Sequence, residues 1–290
     1  MGQTSGSICG NISPISMMEE PDFSIVTPSY NYSEYIREML DSVVSQEGVT
    51  YEHLIFDAGS TDGTVDIIRE YEHVNLTVEP DKGMTDAINK GFKKAKGKWV
   101  MWLNTDDRLK PGALAAVKEF AESQPDADVL YGAWDFVDGK GNYQRTMPVF
   151  PFKKLMLAHL GCYIGSTSTF IRRDTVLDEG VFLNDRFKCV MDGEYYNRLA
   201  ATGKKFVYFP RVIADFRLHG ENISQRHFGK NNIDDVLSLQ LHLAESRSIR
   251  RCYGWSFFKS DHLNCAVDCA LFYMFRFLKQ PLKLLNRPKK

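Results

Sequence analysis

Cysteine and net charge are both scarce in this sequence. Its 290 residues include six cysteines, and no two of them form a CxxC pair. This spacing argues against a disulfide scaffold or a cysteine-ligated metal site, and we expect reduced thiols of the kind that suit the cytosol. The formal net charge of −1 gives no electrostatic reason to expect a nucleic acid as partner. The composition therefore predicts a cytoplasmic protein with no nucleic-acid partner.

Long apolar runs are also missing. The sequence contains no stretch of about eighteen uncharged apolar residues, the length at which a membrane-spanning helix becomes a candidate. Residues 1–22 are rich in Gly and Ser, lack the apolar core of a signal peptide, and are expected to form a flexible tail. Because 43% of the residues are hydrophobic, the rest of the chain can bury the core of one large domain.

From Phe23 onward, short β-type apolar runs alternate with amphipathic segments. Strands are predicted over 23–29, 51–57, 74–79, 98–103 and 127–132. Helices are predicted between them over 34–46, 62–72, 84–95 and 112–124. This alternation is typical of βαβ units, and it predicts an α/β fold with a mostly parallel, Rossmann-like central sheet and helices on both faces.

Polar loops follow four of the predicted strands. They read PSYNYS, DAGSTDGT, EPDKG and NTDD, and each comes directly after a strand. In a parallel sheet the carboxyl ends of the strands lie at one edge, and ligands bind beyond that edge. We therefore expect these four loops to converge on one binding site.

The second half of the chain, from about residue 140, is less regular. A strand is predicted over 165–173, a helix over 191–203 and a strand over 204–209, and no Gly/Pro/Ser-rich linker precedes them. We therefore expect one continuous domain over 23–225, in which 136–225 builds the second wall of a cleft. Residues 226–290 are predicted to form a helical extension.

Asp106 and Asp107 stand side by side where the fourth predicted strand ends. Adjacent like charges repel each other, and neither can be buried unpaired. A hard divalent cation would remove that penalty, because such ions bind one or two carboxylates together with substrate phosphates. The alternative is a solvated turn in which Asp107 caps the helix that follows Pro111. The position at the end of a sheet strand favours the metal site.

Four segments of the first half carry a family resemblance. They read FSIVTPSYNYSEYIREMLDSVVSQ, DAGSTDGT, EPDKGMTDAINKG and GKWVMWLNTDDRLKPGAL. In this order and spacing they resemble the family-two glycosyltransferases of the GT-A fold, strongly over 23–135, the nucleotide-binding half, and weakly over 136–220. The resemblance implies inverting transfer of a sugar from a nucleotide diphosphate sugar to a hydroxyl of a glycan or lipid-linked glycan, in polysaccharide or glycolipid biosynthesis.

The resemblance also assigns roles to residues of the loops. It places Pro28, Ser29 and Tyr30 around the base and ribose of the donor. It places Asp106 near the ribose and Asp107 on a Mn²⁺ or Mg²⁺ ion that bridges the diphosphate. Such an ion acts as a Lewis acid and stabilises the departing nucleotide.

The second motif departs from the family pattern. Its commonest form is Asp-Asp-Gly-Ser, whose second Asp can contact the base, whereas this chain has Asp57, Ala58, Gly59 and Ser60. Asp57 remains as a donor-binding candidate or as a cap of the strand-to-helix turn. Asp81 either supplies a substitute contact to the base or ribose, or is a simple turn residue. The sequence therefore leaves the donor base open.

Two positions of the second half complete the predicted site. Inverting transfer needs a general base, and Asp192, at the start of the predicted helix 191–203, matches the late acidic position of the family, with Glu194 as the fallback. The alternative is plain helix capping. His219 follows a strand where the family often presents a histidine to the metal or diphosphate; otherwise it is an ordinary polar residue.

Residues 263–290 combine an apolar stripe at helical spacing with a basic end over 279–290 that has no acidic residue. Such a segment can lie in a membrane interface and attract anionic lipid, which would make the protein peripheral on the cytoplasmic face of the membrane. The alternative is a helix packed on the catalytic domain or on a second subunit.

Two other functions are alternatives for the whole chain. A non-catalytic module that binds nucleotide sugars with the same fold is the main alternative. A Rossmann dehydrogenase is rejected, because no G-x-G-x-x-G turn follows the first strand.

Overall fold

A computed structural model of the chain describes residues 20–154, 156–157, 162–220, 222, 244–249 and 252. Most of the predicted tail and the whole of the predicted interfacial segment 263–290 lie outside these residues. Among the helices of the described residues, none has the length and apolar character needed to cross a membrane.

Nine strands of the described chain form one sheet. In chain order they are β1 (Phe23–Ser29), β2 (Tyr51–Asp57), β3 (Val74–Val78), β4 (Trp99–Trp102), β5 (Arg108–Leu109), β6 (Val129–Asp138), β7 (Tyr143–Thr146), β8 (Thr169–Arg172) and β9 (Phe206–Leu218). Their spatial order is β3-β2-β1-β4-β8-β6-β9-β5, and β7 pairs with β6 outside this path.

The first half of the domain, residues 23–135, supplies the parallel part of the sheet. Strands β3, β2, β1 and β4 run parallel to their neighbours, so their carboxyl ends lie at one edge, as predicted. In the second half, β8 is antiparallel to both β4 and β6, whereas β9 is parallel to β6. The mostly parallel arrangement therefore describes the first four strands, and the second half mixes both directions.

Among the described residues, these α-helices connect or flank the strands: α1 (Ile36–Val44), α2 (Thr64–Arg69), α3 (Met84–Lys94), α4 (Ala113–Glu122) and α5 (Met191–Ala201). They cover both faces of the sheet. The side chains of α1, α2 and α4 share one apolar core with Met101 of β4, and those of α3 and α5 share another with Val100 and Trp102. Side chains alternate along a strand, so β4 is apolar throughout because both of its faces are covered.

One close approach sets the distance between α3 and β1. Gly91 of α3 lies directly against β1, and a Cβ atom added there would come within 2.2 Å of Val26 Cγ1. Glycine allows this approach because it has no side chain. The contact therefore packs the second half of α3 closely against the middle of β1.

A buried histidine lies inside the parallel part of the sheet. His53 of β2 is fully buried, its Nε2 lies 3.0 Å from Thr27 Oγ1, and its ring stacks on that of His73 at 5.6 Å. Burial, and then the charge that His73 would carry, lower the pKa of His53 to about 3. The folded protein therefore holds His53 neutral.

This histidine should make the protein sensitive to mild acid. The unfolded chain binds a proton at His53 below a pKa of about 6.5, whereas the folded chain binds it only near pH 3, so stability is lost as the pH falls below 6.5. We expect His53 to lower the free energy of unfolding at pH 5 by about 2 kcal/mol relative to pH 7.5. Urea titrations at the two pH values measure the difference.

His53→Gln is the matched control, because glutamine can still bond to Thr27 but does not titrate. The loss of stability between the two pH values should shrink by about 2 kcal/mol in this variant. An unchanged loss would contradict the assignment.

Candidate active site

The loops that follow β1 and β2 are bonded to one another. Asn31 N donates to Ser60 Oγ at 2.8 Å, and Thr61 N donates to Asn31 Oδ1 at 2.9 Å. Asn31 has φ +55°, a left-handed conformation that asparagine adopts more readily than most residues. The first two of the four predicted loops therefore form one unit.

Asp57 holds this unit together. Its Oδ1 accepts hydrogen bonds from Gly59 N (2.9 Å) and Ser60 N (2.7 Å), and its Oδ2 accepts from Ser29 Oγ and Ser60 Oγ, both at 2.7 Å. Asp57 and Ser29 are both buried. The structure thus places these two predicted donor-binding residues in the loop framework.

The other residues predicted to bind the donor differ in exposure. Pro28 is buried within β1, whereas the side chain of Tyr30 is open to solvent, with 58% of the residue surface exposed. Asp81 Oδ1 accepts a hydrogen bond from Gly83 N at 2.7 Å, which forms the tight turn that leads into α3. Asp81 therefore has the turn geometry that the sequence left as one of two alternatives.

Asp107 is an anchor of the loop after β4. It is 2% exposed; its Oδ1 accepts a hydrogen bond from Arg217 N at 3.1 Å, and its Oδ2 accepts from Thr167 Oγ1 (2.8 Å) and Asn104 Nδ2 (3.2 Å). Burial, followed by the charge of Asp106, raises the pKa of Asp107 well above its usual range, although these hydrogen bonds act against the shift. A neighbouring positive ion would relieve both causes.

Asp106 points to different partners. Its Oδ2 lies 2.9 Å from His219 Nε2 and accepts a hydrogen bond from Asn222 Nδ2 at 3.1 Å, and its Oδ1 has no hydrogen-bond partner among the described residues. The His219 ring packs on Tyr35 at 4.9 Å and, edge-on, on Tyr32 at 6.1 Å. The predicted late histidine therefore lies between the NTDD loop and the segment after β1.

Sequence reasoning missed Arg217, which is 1% exposed. Its Nε donates to Asp106 O at 3.0 Å, one Nη donates to Gly139 O at 3.0 Å, and the other donates to Glu38 Oε2 at 2.6 Å. The guanidinium also lies 4.9 Å from the centre of the Tyr35 ring. Arg217 thus links the NTDD loop, the β6–β7 turn and α1.

Glu38 serves two arginines. Besides Arg217, it accepts a hydrogen bond from Arg108 at 3.0 Å, and Arg108 Nε in turn donates to Asp215 Oδ2 at 2.7 Å. A signal for this network exists in the sequence, because Asp215, Arg217 and His219 occupy alternate positions at the end of β9 and so share one side. Charged residues are usually exposed, so the pattern alone did not mark them as buried.

The predicted base Asp192 lies in the first turn of α5. Its Oδ1 accepts a hydrogen bond from Gly193 N at 2.7 Å, and burial raises its pKa, with the backbone N–H acting in the opposite direction. The start of α5 contacts the first half of the chain, because Thr85 Oγ1 of α3 donates to Met191 Sδ at 3.1 Å. The structure therefore brings the first turn of α5 to the first turn of α3.

Glu194, the fallback base, is in a different state. It is buried, and both of its carboxylate oxygens accept hydrogen bonds from Arg198, at 2.8 and 3.1 Å. Arg198 also donates to Phe182 O. Glu194 and Arg198 therefore form an ion pair within α5, and the role of the Glu194 carboxylate is structural.

Asp106 and His219 are residues that could hold a metal ion. In the part of the chain that the structure describes, no three His, Cys, Asp or Glu residues are grouped as a complete metal site. A carboxylate and an imidazole nitrogen already 2.9 Å apart fit an ion that takes its remaining ligands from substrate phosphates and water. An imidazole ligand suits a transition metal better than Mg²⁺, which favours Mn²⁺.

The profile of "Glycosyl transferase family 2" matches residues 24–180. The chain belongs to this family. Among curated relatives, the putative teichuronic acid biosynthesis glycosyltransferase TuaG of Bacillus subtilis is 37% identical over 106 residues, 35% of this chain and 42% of that protein. A PGL/p-HBAD biosynthesis glycosyltransferase of Mycobacterium bovis is 29% identical over 184 residues, which are 61% of this chain and 69% of the relative. The match to TuaG thus spans less than half of that protein.

Solved structures share the fold of this family 2 member. S. aureus TarS 1–349, solved in complex with UDP, superposes with a TM-score of 0.58 at 20% identity and covers 79% of this chain and 71% of its own. The mannosyltransferase PcManGT of Pyrobaculum calidifontis, solved with GDP-Man and Mn²⁺, gives a TM-score of 0.53 at 16% identity, over 92% and 84% of the two chains. The predicted GT-A fold is confirmed.

Arg217 should contribute strongly to stability. Arg217→Met would leave the carbonyls of Asp106 and Gly139 without their donors, at a cost of about 1–3 kcal/mol for each buried group. Because Glu38 is half exposed, the lost ion pair adds little, and we expect a total of roughly 2–6 kcal/mol in urea unfolding.

Arg37→Met is the matched control, since Arg37 pairs with Glu70 in solvent at 2.8 Å. Exposed pairs of this kind contribute little to stability, so this variant should lose much less than Arg217→Met. Equal losses in the two variants would show that Arg217 is not an anchor.

Proposed function

We propose that this chain is an inverting glycosyltransferase that moves a sugar from a nucleotide diphosphate sugar to an acceptor hydroxyl. The observation that carries the proposal is the approach of Asp106 to His219, at 2.9 Å, beside the loop after β1. Family membership supports the reaction class, and the relatives in teichuronic acid and PGL/p-HBAD biosynthesis support a glycan or glycolipid acceptor. A non-catalytic binding module would keep the same fold but release no nucleotide.

The donor is bound in this proposal by the joined loops after β1 and β2. Related folds have been solved with UDP, UDP-GlcNAc and GDP-Man, which supports a nucleotide sugar in general. The exposed ring of Tyr30 can stack on any base, because every base has a π-face. Asp57 acts by keeping the loops in place, since its oxygens already accept four hydrogen bonds.

The divalent ion, in this proposal, is held by Asp106 and His219, and Asp107 fixes the loop behind them. When bound, the ion would supply Lewis-acid stabilisation of the leaving diphosphate. Asp106 is preferred to Asp107 as ligand because its Oδ1 is open among the described residues, whereas both oxygens of Asp107 accept protein hydrogen bonds. Arg217 N and Thr167 keep the Asp107 carboxylate in its anchoring position.

Asp192 is proposed as the general base. The acceptor oxygen forms a bond to the anomeric carbon while the bond from this carbon to the diphosphate oxygen breaks, and its proton passes to the Asp192 carboxylate. The bonding electrons leave with the nucleotide diphosphate. The raised pKa of Asp192 brings its basicity closer to the working pH, which favours proton transfer. Glu194 is not chosen, because Arg198 occupies both of its oxygens.

The cellular location proposed is the cytoplasm. Peripheral contact with a membrane through 263–290 stays a prediction, because that segment lies outside the described residues.

The metal assignment predicts different behaviour for the two adjacent aspartates. Asp106→Asn should weaken Mn²⁺-dependent binding of UDP or GDP by about tenfold or more, the scale on which changes at metal sites act, with little change in melting temperature. Asp107→Asn should lower the melting temperature, because its amide places a donor against Arg217 N–H or Thr167. Calorimetric titration with and without Mn²⁺ measures the first effect, and thermal unfolding the second.

His219→Gln serves as the comparison for the first effect, since it should share the loss of Mn²⁺ dependence. Unchanged Mn²⁺ dependence in both Asp106→Asn and His219→Gln would reject this ion site.

The base assignment predicts a change in the pH profile. Because burial raises the pKa of Asp192, activity should fall as the pH drops through a value above the ordinary aspartate pKa of about 3.9. Asp192→Asn should lower turnover by about 10²-fold or more and abolish this acid limb. Nucleotide release from UDP-GlcNAc and GDP-mannose, with Mn²⁺ and with water as acceptor, is the measurement.

Glu194→Gln is the control in the same helix turn. It should lower stability through its pair with Arg198 but keep the acid limb. A limb that vanishes in Glu194→Gln and persists in Asp192→Asn would transfer the role to Glu194.

A further inference from the structure

Glu245 lies far along the chain from the site, in a short helical segment over 244–249. It is 7% exposed. Its Oε1 accepts a hydrogen bond from Lys188 N at 2.8 Å, and its Oε2 accepts from Cys189 N at 2.9 Å and from Val190 N at 3.2 Å. One buried carboxylate therefore binds three consecutive backbone N–H groups.

These three N–H groups come immediately before α5. The first N–H groups of a helix and those just before it have no partner within the helix, so a side chain or water must accept from them. The residue at the capping position is Val190, whose side chain has no acceptor, and it makes no capping hydrogen bond. Glu245, 55 residues further along the chain, instead accepts from the N–H of Val190 itself and from those of Lys188 and Cys189, the residues that lead into the helix.

The carboxylate is well suited to this position. Hydrogen bonds from backbone N–H groups to a charged carboxylate are roughly twice as strong as neutral ones. The amino end of α5 carries a partial positive charge that a negative side chain stabilises. The path of the backbone through 188–190 is thereby set by a residue beyond the segment that matches the family profile, which ends at residue 180.

Asp192 depends on this path. It is the second residue of α5, and its carboxylate bonds to the backbone of the same turn, at Gly193 N. The position of Asp192 relative to the first half of the chain therefore follows from the position of the start of α5, which also contacts α3 through Met191 and Thr85. A shift of 188–190 would move Asp192 without disturbing Asp106 or the loops after β1 and β2.

We propose that Glu245 is a positioning residue for sugar transfer: it fixes the start of α5 and, through it, the general base Asp192. This inference rests on the proposed function in one respect, the role of Asp192. If Glu245 has this role, turnover depends on the segment 244–249, whereas donor binding does not.

The first test is hydrogen exchange in the full-length protein. Glu245→Ala should increase the exchange rate of the amides of 188–193 by about tenfold or more, because three charge-assisted hydrogen bonds are lost. Exchange over 104–107 should stay the same. Equal exchange over 188–193 in both proteins would overturn the proposal, and this readout does not depend on any activity.

The second test is a double-mutant cycle on nucleotide release from UDP-GlcNAc or GDP-mannose, whichever is hydrolysed. Glu245→Ala should lower kcat by about tenfold and leave the donor KM within about twofold. In the Asp192→Asn background the same change should have little further effect, because both substitutions remove one function. A tenfold loss that persists in that background would show a role unrelated to Asp192.

Two further variants keep the test decisive. Glu245→Gln retains an acceptor oxygen but loses the charge, and it is the variant to use if Glu245→Ala does not fold. We expect it to lower kcat by about two- to fivefold. This loss should disappear in the Asp192→Asn background. Glu179→Ala is the matched control, since Glu179 is an exposed carboxylate paired with Lys204, and it should behave as the unchanged protein. If Asp192→Asn alone retains normal turnover, the base assignment fails, and the exchange experiment still decides whether Glu245 holds 188–190.

Discussion

The candidate site depends on the hydrogen bonds that the guanidinium of Arg217 donates. A buried charge is tolerated only when its hydrogen bonds are satisfied, and Arg217 meets this condition with groups from three separate segments: Asp106, Gly139 and Glu38. Each of these contacts fixes a different part of the site. The second half of the chain thus holds the loop that the first half contributes, so neither half can form the site alone.

The same arrangement directs the carboxylates of the two adjacent aspartates to different partners. The two carboxylates diverge: that of Asp107 turns toward Thr167 and Asn104, and that of Asp106 turns toward His219 and Asn222. One carboxylate is therefore used to hold the loop, and the other remains available to a ligand. In the proposed site, the two neighbouring residues thus have separate roles: Asp107 holds the loop, and Asp106 binds the ion.

Sequence patterns were sufficient for the first half of the fold. The strands β1 and β2 have the predicted bounds, and α3 ends one residue earlier than predicted, because period-two and helical spacing are strong signals in buried segments. The strands β5 and β7 were missed, since one has two residues and the other is fully exposed. Neither carries the apolar alternation that marks a strand.

Site residues were predictable only where a local motif exists. The positions of Asp106 and His219 beside one another follow from strands that end at the same region of the sheet. The roles of Arg217, Thr167 and Glu245 were not predicted, because each acts on a residue 55 or more positions away. A single sequence does not show which distant residues pair, and the alternation around Arg217 was insufficient because charged side chains are usually exposed.

The hydrogen bonding of Asp57 has a consequence for how such a chain can diversify. The four hydrogen bonds that Asp57 accepts come from Ser29, Gly59 and Ser60, and Ala58 contributes its backbone N–H to Ser29 O but no side-chain bond. The side chain at position 58 can therefore be exchanged without refolding the loop. A substitution at position 58 would thus change the side chain that the loop presents while the hydrogen bonds of Asp57 stay in place.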